Sequence, residues 1–241
     1  MRVRDALLIA VCLVFATPVQ GQNELPDMVE ISGGTVVVPG KTGPRKVNVS
    51  PFFIDRTEVT VHEYERCVKA GACERLDSPQ PSIEQSRIPR VDLTPLDAQA
   101  YCGWRNKRLP TEAEWVVAAK NGHELQWYPW GNQSPRNRAN FVDAPVLRKG
   151  RRTFRYLYPA CSFPLGKSDA GVCDLAGNAA EWVSTQYEKS DGALTAGDFV
   201  VKGGSFLSSA DDLRADQRQV ATHLFHRSIE IGFRCAKGGV Q

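Results

Sequence analysis

Three short helices are predicted by the recurrence of apolar residues and by the polar residues that precede them. Thr60 and Thr111 each stand three residues before a glutamate, and Thr94 is followed by a proline and then Asp97. Such starts let a hydroxyl and a carboxylate satisfy backbone N–H groups that the first helical turn leaves unpaired. We therefore expect helices near 61–70, 95–106 and 112–120. Their predicted apolar faces are Val61, Tyr64 and Val68; Leu96, Ala100 and Trp104; and Trp115, Val116 and Ala119.

Short strands are predicted on both sides of these helices. Residues 29–38 and 47–54 are apolar runs separated by Pro39-Gly40-Lys41-Thr42-Gly43-Pro44, which favours a hairpin-like turn. Further strands are expected near 179–186, 199–206 and 231–236, whereas residues 121–172 have no long periodic pattern. A long irregular stretch usually carries functional loops or is held by metal ions and disulfides. One mixed α+β domain is the simplest arrangement.

The first residues are typical of an export signal. Arg2 and Arg4 precede an apolar run over 6–16, and Pro18 and Gly21 follow it. The run is too short to span a bilayer, which needs roughly 20 apolar residues. We expect residues 1–21 to be a signal peptide and residues 22–241 to be the exported domain, located in a periplasm or outside the cell. No membrane span is expected after the signal is removed.

Charge and cysteine content narrow the function classes. The net charge of +3 falls to +2 once Arg2, Arg4 and Asp5 are removed, which argues against a nucleic-acid-binding protein. A basic run from Arg148 to Arg155 favours a hydrated loop over an anion site. Of the seven cysteines, Cys12 lies in the signal segment, so six remain for three disulfides. Cys67 and Cys73 are close enough to close a small loop, but spacing does not choose the other pairs.

Several ordered sequence blocks resemble one enzyme family. They are Phe53-Ile-Asp-Arg-Thr-Glu-Val-Thr60, Ala100-Tyr-Cys-Gly-Trp-Arg-Asn-Lys-Arg-Leu-Pro-Thr-Glu-Ala-Glu-Trp115, Tyr128-Pro-Trp-Gly-Asn132, Gly171-Val-Cys-Asp-Leu-Ala-Gly-Asn-Ala-Ala-Glu-Trp182, Val201-Lys-Gly-Gly-Ser-Phe206 and Ile231-Gly-Phe-Arg-Cys-Ala236. Together they resemble the formylglycine-generating enzyme (sulfatase-modifying factor) family, and the resemblance extends over roughly residues 28–237.

The resemblance implies a C-type-lectin-like α+β fold, a single domain with little regular secondary structure, stiffened by calcium and disulfides. Family members include enzymes that oxidise a sulfatase cysteine to formylglycine, iron-using relatives, and members without known activity. Membership therefore fixes fold better than chemistry. The resemblance also pairs Cys102 with Cys235, which leaves Cys161 for Cys173 and Cys67 for Cys73.

A structural calcium site is implied by the block from Asp174 to Trp182. Its ligands would be the positions matching Asp174, Gly177, Ala179 and Glu181, with the middle two acting through backbone carbonyls. Clustered oxygen donors of this kind suit calcium, which takes six to eight oxygens. A capped turn is the alternative interpretation from the residues themselves.

The oxidising members bind copper through two cysteines, and both are missing here. The matching positions are Ser208 and Leu213, so no catalytic residue of the family reaction is expected. A neutral hydroxyl and a hydrocarbon cannot replace thiolate ligands of copper(I), which makes copper an unexpected cofactor. The family's oxygen-pocket tryptophan is Ala180 here, although Ser205 is retained.

Two functions remain as hypotheses. The first is a non-oxidising binding module or pseudoenzyme. Its ligand would be a peptide, glycan or small molecule, bound at a polar cleft made of Ser205, Ser208, Asp211, Asp212, Arg214 and Arg218. The second is a metal-dependent oxidoreductase with altered chemistry, in which His223, His226 and Glu230 would bind iron as two imidazoles and a carboxylate.

Overall fold

The computed structural model describes residues 27–40, 43–76, 87–143, 157–188 and 194–238. Within these residues the chain forms three α-helices, nine β-strands and two short 3-10 helices. The expected signal peptide and the basic run from Arg148 to Arg155 lie outside the described residues. Among the residues described, none of the helices has the length and apolar character that crossing a membrane requires.

The three predicted helices are present, and each begins at its predicted cap. They are α1 (Val61–Lys69), α2 (Pro95–Trp104) and α3 (Glu112–Lys120). The capping threonine and the acidic residue three positions later form reciprocal bonds at all three helix starts. Helix α3 ends at Asn121, which adopts a left-handed φ of 46°.

The predicted apolar face of α2 was wrong. Leu96 is 41% exposed and Ala100 is also exposed, whereas Ala98, Tyr101 and Cys102 are buried. Two tertiary contacts turn the helix this way. Cys102 forms a disulfide with Cys235, and the Tyr101 ring lies edge-on to Phe233 with a centroid distance of 5.4 Å.

Each of the first two predicted strand runs is divided into two strands. The strands are β1 (Met28–Ile31), β2 (Gly34–Gly40), β3 (Gly43–Val49) and β4 (Phe52–Asp55). Strands β2 and β3 form the expected antiparallel hairpin, and β1 pairs with β4. The division at Gly33 follows from its φ of 78°, and a Cβ there would lie 2.2 Å from the carbonyl oxygen of Val49.

The later strands are β5 (Ala180–Glu188), β6 (Leu194–Lys202), β7 (Gln219–Ala221), β8 (Ile231–Phe233) and β9 (Ala236–Lys237). They build a four-stranded sheet in the order β7-β6-β5-β8, with β5 and β8 parallel, while β9 joins β4 in a sheet ordered β1-β4-β9. Strand β6 ends earlier than predicted because Gly203 and Gly204 turn the chain with φ of 87° and 66°.

Two large apolar clusters stabilise these elements. One packs α3 against β1, β2 and β4, and the other surrounds Trp182 of β5. Disulfides join Cys67 to Cys73, Cys102 to Cys235, and Cys161 to Cys173, which confirms all three expected pairs. The predicted mixed α+β architecture with little regular secondary structure is therefore observed.

Candidate functional site

The two positions that match the family cysteines meet at Gly204. A Cβ built on Gly204 would lie 2.8 Å from Leu213 Cδ2 and 3.2 Å from Ser208 Cβ, so both side chains pack against this glycine. Both are buried, and Leu213 has no exposed surface. The fold therefore keeps the two positions together although neither carries sulfur.

Neither residue can act as a copper ligand. Leu213 packs in a small apolar cluster with Tyr128, Phe141 and Ala176. The Ser208 hydroxyl accepts a hydrogen bond from the backbone N–H of Ser205 at 2.9 Å. Every cysteine in the described part of the chain is in a disulfide, so no thiol from that part is available. The donor set does not fit copper(I), which prefers soft sulfur ligands.

Ser205 is paired with a carboxylate from a distant part of the sequence. Its hydroxyl donates a hydrogen bond to Oε2 of Glu230, and its oxygen accepts one from the backbone N–H of Leu207 at 3.1 Å. The Ser205 side chain is therefore fixed in a buried position beside Ser208. Glu230 was expected only as part of the alternative iron site.

Asp211 and Asp212 lie in the 3-10 helix Asp211–Leu213, and Arg214 follows it. Asp211 and Asp212 are exposed, and the Asp212 carboxylate accepts hydrogen bonds from the hydroxyl and the N–H of Ser209 at 2.6 and 3.1 Å. The Arg214 guanidinium stacks on the Trp127 ring, 4.7 Å from its centroid, and pairs with Asp216 at 3.2 Å.

Arg218 faces a different set of groups. It binds Glu112 at 3.2 Å and lies over the Tyr187 ring. Glu112 also faces Lys202, whose Nζ is 3.7 Å away and fully buried, and burial lowers the pKa of Lys202 to about 8. The six predicted cleft residues are thus divided among separate contacts. Ser208 is bonded to Ser205, the N–H of Arg214 donates to the carbonyl oxygen of Asp211 at 3.2 Å, and Arg218 is bound to Glu112.

The two histidines of the alternative hypothesis are not gathered around a common point. His223 is exposed, and the His226 ring lies edge-on to Trp182 with a centroid distance of 6.3 Å. Glu230 is directed to Ser205. In the ranges that the structure describes, no three His, Cys, Asp or Glu side chains are arranged to hold one metal ion.

The predicted calcium block forms a tight turn before β5. Asp174, Gly177 and Asn178 have φ of 56°, 77° and 65°. A Cβ on Gly177 would lie 2.3 Å from the carbonyl oxygen of Asn140, so glycine is required at this position. The turn brings Asp174, the Asn178 amide and the nearby backbone into one buried region.

Glu58 completes this region, although the sequence did not single it out. Its Oε1 accepts hydrogen bonds from Asn178 Nδ2 at 3.0 Å and from the Ala179 N–H at 3.4 Å, while its buried Oε2 has no hydrogen-bond partner among the residues that the structure describes. Burial, and then the charge of Asp174, raise the pKa of Glu58 well above its ordinary value. Burial also raises the pKa of Asp174. The signal that could have found Glu58 is an acidic residue directly before the apolar Val59 within the first family block.

Glu181 is neutralised by a cation of the protein itself. Both of its carboxylate oxygens accept hydrogen bonds from Arg234, at 2.6 and 2.8 Å, and Oε2 also accepts one from Trp115 Nε1 at 2.8 Å. Glu58, Asp174 and Glu181 are three carboxyl groups near the single guanidinium of Arg234, so two of them lack a balancing cation among the described residues when all three are ionised. Such a region fits a doubly charged cation held by Glu58, Asp174 and neutral oxygens, as calcium chemistry requires. The predicted ligand Glu181 lies in the same region and has its negative charge balanced by Arg234.

Comparison with known proteins identifies the family. Residues 14–238 match the family model described as sulfatase-modifying factor enzyme 1-like domain. This chain belongs to that family. It is 38% identical over 161 residues to the inactive C-alpha-formylglycine-generating enzyme 2 of Bos taurus, covering 64% of this chain and 52% of the relative. It is 30% identical over 187 residues to the formylglycine-generating enzyme of Mus musculus, covering 70% of this chain and 50% of that enzyme.

The fold is shared with solved members of the family. PvdO from Pseudomonas aeruginosa superposes with a TM-score of 0.67 at 22% sequence identity, covering 87% of this chain and 93% of PvdO. The α+β fold of the sulfatase-modifying factor family, with its C-type-lectin-like character, is therefore established. The chain spans about half the length of the curated relatives named above, at 52% and 50%.

Proposed function

We propose that this sulfatase-modifying factor domain does not oxidise cysteine and acts by binding a ligand. The observation that carries the proposal is the environment of Leu213. This buried hydrocarbon side chain packs against Tyr128 and Phe141 at a position where the family reaction needs a copper thiolate. Ser208 at the second position is held by a hydrogen bond to the backbone. The side chain at a position that binds copper in the oxidising members is therefore part of the apolar core in this protein.

The proposed ligand surface lies beside Arg214. Trp127 is 46% exposed and Leu125 is 85% exposed, next to an open groove of ≈ 590 Å³ lined by residues 122–126, Gly131 and Asn132. Tryptophan and arginine supply much of the energy at binding interfaces. The stacked Arg214 and Trp127 side chains therefore favour this face as the contact for a peptide, glycan or small molecule.

Export and calcium binding are part of the same proposal. Three disulfides favour an oxidising compartment, a periplasm or the cell exterior, because cytosolic thiols are kept reduced. The unpartnered Glu58 Oε2 and the nearby Asp174 carboxylate favour a structural calcium ion. The ion would neutralise buried charge and stiffen the turn before β5.

An oxidation assay tests the loss of the family reaction. The protein, copper(I), oxygen and a cysteine peptide from a sulfatase are incubated, and formylglycine is measured by mass spectrometry. The mouse formylglycine-generating enzyme is assayed in parallel. We expect no product from this chain. Turnover by the unmodified protein would show that our interpretation of Ser208 and Leu213 is wrong.

Metal analysis separates the binding module from the alternative oxidoreductase. Purified protein is expected to contain calcium and to lack stoichiometric copper or iron. The variant Ser208→Cys with Leu213→Cys restores two thiols at adjacent buried positions and is expected to gain copper(I) binding. If the unmodified protein contains stoichiometric iron and the variant His226→Ala does not, the oxidoreductase hypothesis is favoured instead.

A further inference from the structure

Glu230 carries a carboxylate that no cation of the described residues balances. None of the ion pairs that these residues form includes Glu230. Its Oε2 accepts a hydrogen bond from the Ser205 hydroxyl, whereas Oε1 accepts none from the described residues. Among the same residues, the buried side-chain oxygens without a partner belong to Glu58 and Glu112, so Oε1 of the half-buried Glu230 is open to solvent. A ligand can therefore reach this oxygen.

The Glu230 carboxylate is held in one position. Ser205, which donates to it, is 2% exposed, and the Ser205 oxygen in turn accepts from the backbone N–H of Leu207 at 3.1 Å. The backbone N–H of Glu230 donates to the Ser228 hydroxyl at 3.2 Å, and its carbonyl oxygen accepts from the N–H of Ala180 at 2.9 Å. A charged group fixed in this way loses little conformational freedom when it binds a ligand, which favours affinity.

Exposed apolar side chains lie beside this carboxylate. Ile229 precedes it in the chain and is 63% exposed, and Leu207, which is joined to Glu230 through the hydrogen bonds of Ser205, is 45% exposed. Phe225 lies in the same loop as Ile229 and is 78% exposed. Exposed apolar groups that occur together around polar ones are a feature of surfaces that bind other proteins.

We propose that Glu230, Leu207 and Ile229 form a binding site for a peptide segment that carries a lysine between apolar residues. The lysine ammonium donates to Oε1 of Glu230, and the apolar neighbours of the lysine pack on Leu207 and Ile229. The site shares no residue with the groove that is proposed above as a ligand surface. It depends neither on binding in that groove nor on the loss of cysteine oxidation.

A single free oxygen selects lysine over arginine. Arg234 shows the alternative in the same protein, since its Nε and Nη2 hold both oxygens of Glu181, at 2.8 and 2.6 Å. At Glu230 one oxygen is already used by Ser205, so the paired N–H groups of a guanidinium find only one free acceptor. A lysine ammonium is a compact point charge, and one acceptor is enough to hold it.

Titration with defined peptides tests the proposal. The blocked tripeptide Leu-Lys-Leu is added to the unmodified protein at constant ionic strength, and the backbone amide resonances of residues 205–208 and 228–231 are followed by NMR. We expect saturable shifts, with affinity about threefold or more above that of Leu-Arg-Leu and of a neutral peptide in which norleucine replaces lysine. No saturable response to Leu-Lys-Leu, or equal affinity for either comparison peptide, overturns the proposal.

Variants show which groups of the protein are responsible. Glu230→Gln keeps an oxygen for the Ser205 hydroxyl but removes the charge, so it should bind Leu-Lys-Leu no more tightly than the norleucine peptide. Leu207→Ser should weaken the binding of both peptides. Glu30→Gln is the matched control, because Glu30 is exposed on β1 and forms no ion pair with the described residues, and its affinity should be unchanged. If Glu230→Gln binds Leu-Lys-Leu as tightly as the unmodified protein, the proposal is wrong.

Butylammonium separates a peptide from a small amine as the ligand. It carries the same charge on an aliphatic chain but has no apolar neighbours to pack on the protein, so it should bind about threefold or more weakly than Leu-Lys-Leu. Equal affinity of the amine and the tripeptide would assign the site to a small amine and overturn the proposal.

Discussion

Arg234 holds Glu181 through two hydrogen bonds, of 2.6 and 2.8 Å, in a part of the protein that water does not reach. Arg234 precedes β9, and Glu181 lies on β5. The same guanidinium donates to the carbonyl oxygens of Asp55 at 2.9 Å and Cys173 at 2.8 Å. One side chain therefore joins the two sheets and the turn that carries Asp174.

Breaking this pair should strongly destabilise the fold. Arg234→Met leaves Glu181 buried without its cation, and removal of one partner from a buried pair costs about 3–5 kcal/mol. The free energy of unfolding is measured by urea denaturation. Arg214→Met, which breaks the partly exposed pair with Asp216, is the control and should cost less than about 1 kcal/mol. Equal losses in the two variants would contradict this account of Arg234.

Calcium removal should lower stability through Glu58 and Asp174. A ligand present at about 100 times its dissociation constant stabilises the fold by about 2.7 kcal/mol, so chelation should lower the unfolding temperature measurably. Glu58→Gln should abolish the response to calcium. In chelator, the same variant should be as stable as the unmodified protein or more stable, because it removes repulsion with Asp174.

Asp211→Asn is the matched control for the calcium experiment, since Asp211 is exposed on the 3-10 helix. Its response to calcium should equal that of the unmodified protein. If chelation leaves the unmodified protein unchanged, the assignment of calcium to this turn is refuted.

Lys202 should make stability rise with pH in the mildly alkaline range. Its pKa in the folded protein is about 8, against 10.5 for an ordinary lysine, because of burial. Between these values the unfolded chain binds more protons than the folded protein. The free-energy cost of burying the charge therefore acts in full below pH 8 and disappears as the pH rises. We expect the stability of the unmodified protein, relative to Lys202→Met, to increase by about 2 kcal/mol between about pH 7.5 and about pH 9.5.

The control for Lys202 is Lys167→Met, because Lys167 is exposed. The stability of Lys167→Met should change with pH in the same way as the stability of the unmodified protein. Above about pH 10 a separate effect enters, since burial raises the pKa of Tyr64 and Tyr101 and the unfolded chain loses their protons first. If the difference in stability between the unmodified protein and Lys202→Met does not change with pH, the prediction is wrong.

Leu213 should behave as a core residue. Truncation of a fully buried leucine to alanine costs about 2–5 kcal/mol, so Leu213→Ala should lose that much free energy of unfolding. Leu207→Ala is the control, since Leu207 is 45% exposed, and it should lose less than about 1 kcal/mol. Similar, small losses in both variants would mean that Leu213 is not packed as described.

The helix starts and the family were determined by the sequence, because both depend on residues close together along the chain. Each capping box needs only a threonine and an acidic residue three positions apart, and all three are present. The pairing of Cys102 with Cys235 followed from the resemblance and is observed. The buried side of α2 was predicted wrongly because Cys235 and Phe233, which orient it, are far away in sequence.

The charge state of the interior was decided only by tertiary structure. Glu181 is predicted as a calcium ligand from its block, and only folding brings it Arg234 from another segment, which donates to both of its oxygens. Glu58 was not singled out by the sequence, and only folding placed its carboxylate near Asp174. Electrostatic energies depend on distance and on exclusion of water, and both are set when remote segments pack together.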